Sequence, residues 1–167
     1  PLVFVSLPGK MESLTLDDGM FIGADNSTTN EAIYASSAHT QVETLSVTNS
    51  TFLNFNTGSN YFFRINCGEE LVLMPVVLID HCTFYNCYDR RGVYLYNAGR
   101  STIKNCISAF SERRDDTKSF TAYGDESIVK NVISYNVDLY GSAPKENIIS
   151  KNPLFVDAEN GNFQLYK

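Results

Sequence analysis

Val77-Leu78-Ile79-Asp80-His81-Cys82-Thr83-Phe84 places two apolar side chains, Val77 and Ile79, two residues apart. It breaks at His81 and resumes with Cys82 and Phe84, again two apart. Period-two spacing of this kind means a strand with one buried face. The break falls on a residue whose side chain can bond locally and which tolerates a left-handed backbone. The stretch therefore reads as strand, tight polar turn, strand.

Four more segments align with it without gaps: 14–21, 45–52, 101–108 and 127–134. Their turn residues are Asp18, Asn49, Asn105 and Asn131, so the turn recurs after 31, 32, 24 and 26 residues. Two places before each turn stands an apolar residue: Leu16, Val47, Ile79, Ile103, Val129. A repeat of strand-turn-strand at this period, without helical periodicity, is the mark of a solenoid whose units bury their apolar faces only by stacking. The fold expected is all-β: a right-handed parallel β-helix, a single-stranded solenoid of about five to six coils. A β-sandwich also has many short strands but predicts no column of turn residues in register. A leucine-rich repeat would need a leucine signature that is absent.

A second column is expected at Asn54 and Asn86, and a third strand in each coil at 62–65, 93–95 and 120–122. The variable lengths between turns place insertions in loops at 25–38, 67–75 and 111–118, and loops carry function more often than cores do.

The chain of 167 residues reads as one domain over 1–167, closing on 152–167, and is long enough to bury a core without metals or disulfides. It opens at Pro1 without a Met, which reads as a processed or excised piece of a longer β-helix. No apolar run approaches the roughly 18 residues of a membrane span. The net charge of −6 argues against a phosphate-backbone binder, so no nucleic-acid partner is expected. That charge is uneven: residues 1–89 carry −8, residues 90–130 carry +3. The basic middle holds Arg90, Arg91, Arg100, Lys104, Arg113, Arg114, Lys118 and Lys130. It fits either an anionic polymer or a solvated surface paired with Glu112, Asp115 and Asp116.

Cys82 and Cys106 occupy the same aligned place and point inward, where they read as buried free thiols. With only His39 and His81 in the chain and no second cysteine pair at matching spacing, no zinc site is expected. His81 reads as a structural turn residue. One place before each turn stands an outward side chain: Asp17, Thr48, Asp80, Lys104, Lys130. On a solenoid these form one row along an exposed face. Asp80 beside Lys104 is either an exposed ion pair or an acid and a base sharing a site.

The closing stretch Asn152-Pro-Leu-Phe-Val-Asp-Ala-Glu-Asn-Gly-Asn-Phe-Gln-Leu165 resembles the last segment of many secreted bacterial parallel β-helix proteins of the pectate, alginate and chondroitin lyase kind. Ile79-Asp-His-Cys-Thr-Phe84 and Ile103-Lys-Asn-Cys-Ile107 resemble their repeats as well. The resemblance implies an extracellular, cell-surface or periplasmic domain that binds or cleaves an acidic polysaccharide. Elimination chemistry beside a uronate carboxylate calls for a base and for positive charge on that carboxylate. The residues offered for it are Lys104, Arg113 and Arg114 as catalytic groups, with Asp80, Lys130, Arg90 and Arg91 binding substrate. Calcium is the cofactor such chemistry can use, although the only acidic grouping to offer is Glu112, Asp115 and Asp116. The alternative is a non-catalytic structural or interaction module of a larger surface protein. In the closing stretch, Phe163 and Leu165 are expected to cover the last coil.

Overall fold

The computed structural model describes residues 3–5, 9–23, 32–35, 40–55, 61–66, 75–87, 91–96, 98–111 and 118–166. Over these residues the chain is a parallel β-solenoid. One ladder stacks β1 (Val3–Val5), β4 (Ile33–Ala35), β7 (Tyr61–Asn66), β10 (Arg91–Tyr96), β12 (Lys118–Ala122) and β14 (Asp138–Tyr140). A second stacks β2 (Gly9–Asp17), β5 (Thr40–Thr48), β8 (Val76–Asp80), β11 (Arg100–Ala109), β13 (Ile128–Tyr135) and β15 (Lys145–Ile149). A third, β3 (Met20–Ile22), β6 (Thr51–Leu53) and β9 (Thr83–Tyr85), merges into the far half of β11. The expected third strand appears as β7, β10 and β12. The segment read as a loop at 25–38 contains β4. Three residues are too few to show a period, and only their pairing with Phe63, Arg64 and Ile65 identifies them as a strand. The rest of the three expected loops lies mostly outside the described residues.

The turn column holds. Asp18, Asn49, His81, Asn105 and Asn131 all have φ between 49° and 53°, and Asn147 extends the column. Asn54 and Asn86 form the second column, with Asn136. Asn and Asp enter this left-handed region at least cost among non-glycine residues. Two places before the turn, Leu16, Val47, Ile79, Ile103 and Val129 stand in register, the last four fully buried. Each such burial contributes about 1.5–3 kcal/mol. Beyond the turn, Phe21, Phe52 and Phe84 stack ring on ring at 4.9 and 5.1 Å.

The core changes character where the repeat shortens. Phe84 is followed in its column by Ser108 and Ser134, and Val77 by Ser101, all buried. A repeat of 24 or 26 residues encloses less cross-section than one of 31 or 32, and small side chains fit it. Ser134 uses its hydroxyl on the Val137 carbonyl at 2.9 Å, and the Ser101 amide donates to Ser127 Oγ at 3.0 Å.

The C-terminal stretch departs from expectation. β16 (Phe155–Asp157) and β17 (Asn162–Leu165) form an antiparallel hairpin around a 3-10 turn (Ala158–Asn160). The hairpin lies along the side wall of the solenoid. Ala158, Phe155 and Phe163 pack on Leu53, Tyr85, Ala109 and Tyr135. Those wall residues face outward from β6, β9, β11 and β13 as an apolar row, and the hairpin covers that row. Leu165 remains half exposed.

Candidate functional site

The outward row before the turn column is in register: Asp17, Thr48, Asp80, Lys104, Lys130 and Glu146. Its centre is Asp80. Oδ2 lies 3.1 Å from Lys104 Nζ, and Oδ1 lies 2.7 Å from His81 Nδ1. Asn105 donates to the same Oδ1 at 2.9 Å. Burial works against the Asp80 charge, yet the hydrogen bonds from Asn105 and Lys104, with the charges of His81 and Lys104, hold its carboxyl below the usual value. Asp17, at the start of the row, is also held low, by hydrogen bonds from Thr48 and Asn49. Asn131 donates to Asn105 at 3.0 Å and Asn147 to Asn131 at 2.9 Å. Three side-chain amides thus point the same way and end on one carboxylate, an arrangement in which each bond polarises the next.

Four of the seven sequence candidates fall within the described residues, three of them in one row. Asp80 and Lys104 form an ion pair, with Lys130 the next residue in their row. Arg91 belongs to β10, on a different ladder, in register with Tyr61 and Lys118. Arg90, Arg113 and Arg114, like Glu112, Asp115 and Asp116, lie outside the described residues. Among the described residues no group of three His, Cys, Asp or Glu side chains is placed to hold a metal ion. The thiols of Cys82, Cys87 and Cys106 are free and buried. Cys82 and Cys106 each donate to the carbonyl two residues back, at 3.3 and 3.0 Å, as the Ser50 hydroxyl does at 2.7 Å.

The outward face of the first ladder carries a grouping that linear reading missed. Tyr34, Arg64, Tyr94, Thr121 and Tyr140 stand in register on β4, β7, β10, β12 and β14. The Arg64 guanidinium lies 5.6 Å from the Tyr34 ring centre and 5.0 Å from that of Tyr61. Lys118 Nζ lies 4.4 Å from the Tyr140 ring centre. All three distances are within cation–π range. Tyr61 meets Tyr94 at 4.5 Å, and Tyr94 meets Tyr123 edge-on at 6.3 Å. Thr121 is buried between the rows, so the surface dips there. The resulting cleft of about 250 Å³ is lined by Tyr94, Lys118, Thr121, Tyr123 and Tyr140.

Such a surface offers aromatic rings, tyrosine hydroxyls and positive charge along a straight line. The ring faces suit the C–H face of a sugar, and the cations suit an anionic substituent. A second hollow, about 350 Å³, separates the hairpin from the wall beside Tyr85 and Tyr135. Tyr85 donates there to Glu159 at 3.0 Å. Burial, and then Glu159, push the Tyr85 phenol up to about 12. No family model, curated protein or solved structure matches the chain.

Proposed function

We propose that the chain is a polysaccharide-handling domain of an extracellular or cell-surface protein, and that it binds an acidic polysaccharide lengthwise along the solenoid. The observation that carries this reading is the in-register row Tyr34–Arg64–Tyr94–Thr121–Tyr140, with Lys118 at its side. A polymer with a repeating surface matches a scaffold that repeats along its own axis. The winding is read as right-handed, the hand of nearly all parallel crossovers, with five to six coils; the six-stranded ladders support that count.

Binding is favoured over cleavage by the placement of Lys104: a general base must reach the substrate proton, whereas Lys104 Nζ is held 3.1 Å from Asp80 Oδ2. The closing-segment resemblance supports the polysaccharide class.

The test is isothermal titration against polygalacturonate, alginate, chondroitin and hyaluronan fragments, with a single-stranded oligonucleotide as a control polyanion. Binding to at least one glycan is expected. Tyr94→Ala and Lys118→Met are each expected to weaken it about tenfold, or ~1.4 kcal/mol. No glycan bound at millimolar concentration, or the oligonucleotide bound best, overturns the reading. Absorbance growing at 235 nm during the same incubations would restore the lyase-like alternative at Lys104.

A further inference from the structure

We propose, resting on the polysaccharide reading above, that this face recognises an alternating copolymer, in which an anionic sugar alternates with one that carries no charge. The argument is the period of the row. Tyr34, Tyr94 and Tyr140 belong to β4, β10 and β14, alternate members of their ladder. Between them stand Arg64 on β7 and Thr121 on β12. At the Thr121 position the positive charge comes from Lys118 on the same strand, whose Nζ lies over the Tyr140 ring.

Neighbouring strands are about 4.8 Å apart, so like positions in this row recur at about 9.6 Å. A disaccharide of an extended pyranose chain is of comparable length. Arg64 and Lys118 are separated by the same two strands. Each lies beside a tyrosine ring of the row, Arg64 by Tyr34 and Lys118 by Tyr140, so one repeat of the row pairs one tyrosine with one cation. The cleft of about 250 Å³ over Thr121 has room for the anionic unit, with Tyr94 and Tyr140 as its two walls.

The competing pattern is visible on the same strands. Arg64, Arg91 and Lys118 taken alone put a basic residue on three successive strands, β7, β10 and β12, which suits a uniform polyuronate. Within the row the tyrosines recur at every second strand; Arg91 and Lys118 both stand in the register of Tyr61, and Lys118 meets the row through its Nζ over the Tyr140 ring.

The experiment compares size-matched oligosaccharides at physiological salt: hyaluronan and unsulfated chondroitin, which alternate, against oligogalacturonate and oligomannuronate, which do not. Uniform polyuronates carry twice the charge per length, so attraction by charge alone ranks them first. The expected result is the opposite order, alternating chains binding at least tenfold tighter, with Tyr94→Ala reducing that preference to less than threefold while circular dichroism stays unchanged. Uniform chains binding equally or better overturn the alternation and leave polysaccharide binding standing. Alternating chains preferred equally by Tyr94→Ala also overturn it, because the row would not be the reader. No binding by any chain overturns both.

Discussion

Asn105 Nδ2 donates to Asp80 Oδ1 across one step of the ladder, at 2.9 Å, while Asn105 itself holds φ at 53°. One residue thus serves two ends: it makes the left-handed turn and it joins the amide line. Replacements separate the two. Asn105→Gly keeps the turn and removes the line, and is expected to cost about 1–3 kcal/mol, the worth of its two hydrogen bonds, to Asp80 and from Asn131. Asn105→Ala adds backbone strain of roughly 1–2 kcal/mol. Urea denaturation of both variants checks this, and equal midpoints would refute the separation.

Acid should act through Asp80. Its carboxyl is held below the ordinary value in the folded chain. Its contribution is therefore complete above the unfolded value of about 3.9 and is lost as pH falls through the lower folded one. The stability difference between the wild type and Asp80→Asn should be present at about pH 5 and shrink below about pH 4. Parallel curves down to pH 2 would remove Asp80 from the acid response.

The phenylalanine column should be the most sensitive part of the core. Phe52 is fully buried between Phe21 and Phe84, almost parallel to both. Phe52→Ala should cost about 3–5 kcal/mol. Phe52→Leu, which keeps most of the volume but loses the ring contacts, should cost about 1–2 kcal/mol. A loss under about 1 kcal/mol for the alanine variant would mean that the column closes up around the gap.

Gly92 tests how closely β10 and β12 approach. A Cβ there would run into the Ser119 carbonyl. Gly92→Ala should destabilise by about 1–3 kcal/mol, although the alanine preference for strand-like backbone alone would favour it. An unchanged melting temperature would show that β12 gives way freely.

Thiol labelling reports opening. Cys87 is completely buried and donates to the Phe52 carbonyl at 3.0 Å, and burial pushes its thiol up. Cys82 and Cys106 are equally inaccessible. An aromatic disulfide reagent should label these three cysteines at the rate of global opening, and faster in proportion to added urea. Labelling of Cys87 at the speed of a free thiol would contradict the packing.

The turn column was legible because its chemistry is local. Asp18, Asn49, His81, Asn105 and Asn131 each announce a left-handed turn with an apolar residue two places before it, and all five adopt one. Asn147 escaped notice because Lys145 stands where the apolar residue was expected, its Nζ donating to the Gly141 carbonyl at 2.7 Å. The tyrosine row was not legible. Its members are 30, 30, 27 and 19 residues apart, a spacing set by loops of unequal length. Only the pairing of the third strands brings Tyr34, Arg64, Tyr94, Thr121 and Tyr140 into line. The described part of the basic middle is divided for the same reason. Linear charge density puts Lys104 and Arg91 together, whereas the fold places them on different ladders.

The hairpin on the side wall has a mechanical meaning. At one end Gly161 sits against the Met20 side chain of β3; at the other, Phe155 and its neighbours reach Tyr135 of β13. A rod of stacked units held only by nearest neighbours frays from whichever tip is pulled. Here one tail is stitched across the layers, so parting the layers that carry Tyr85 and Tyr135 must also peel the seam formed by Phe155, Phe163 and Tyr85. Load that would have been met one layer at a time is shared by several at once.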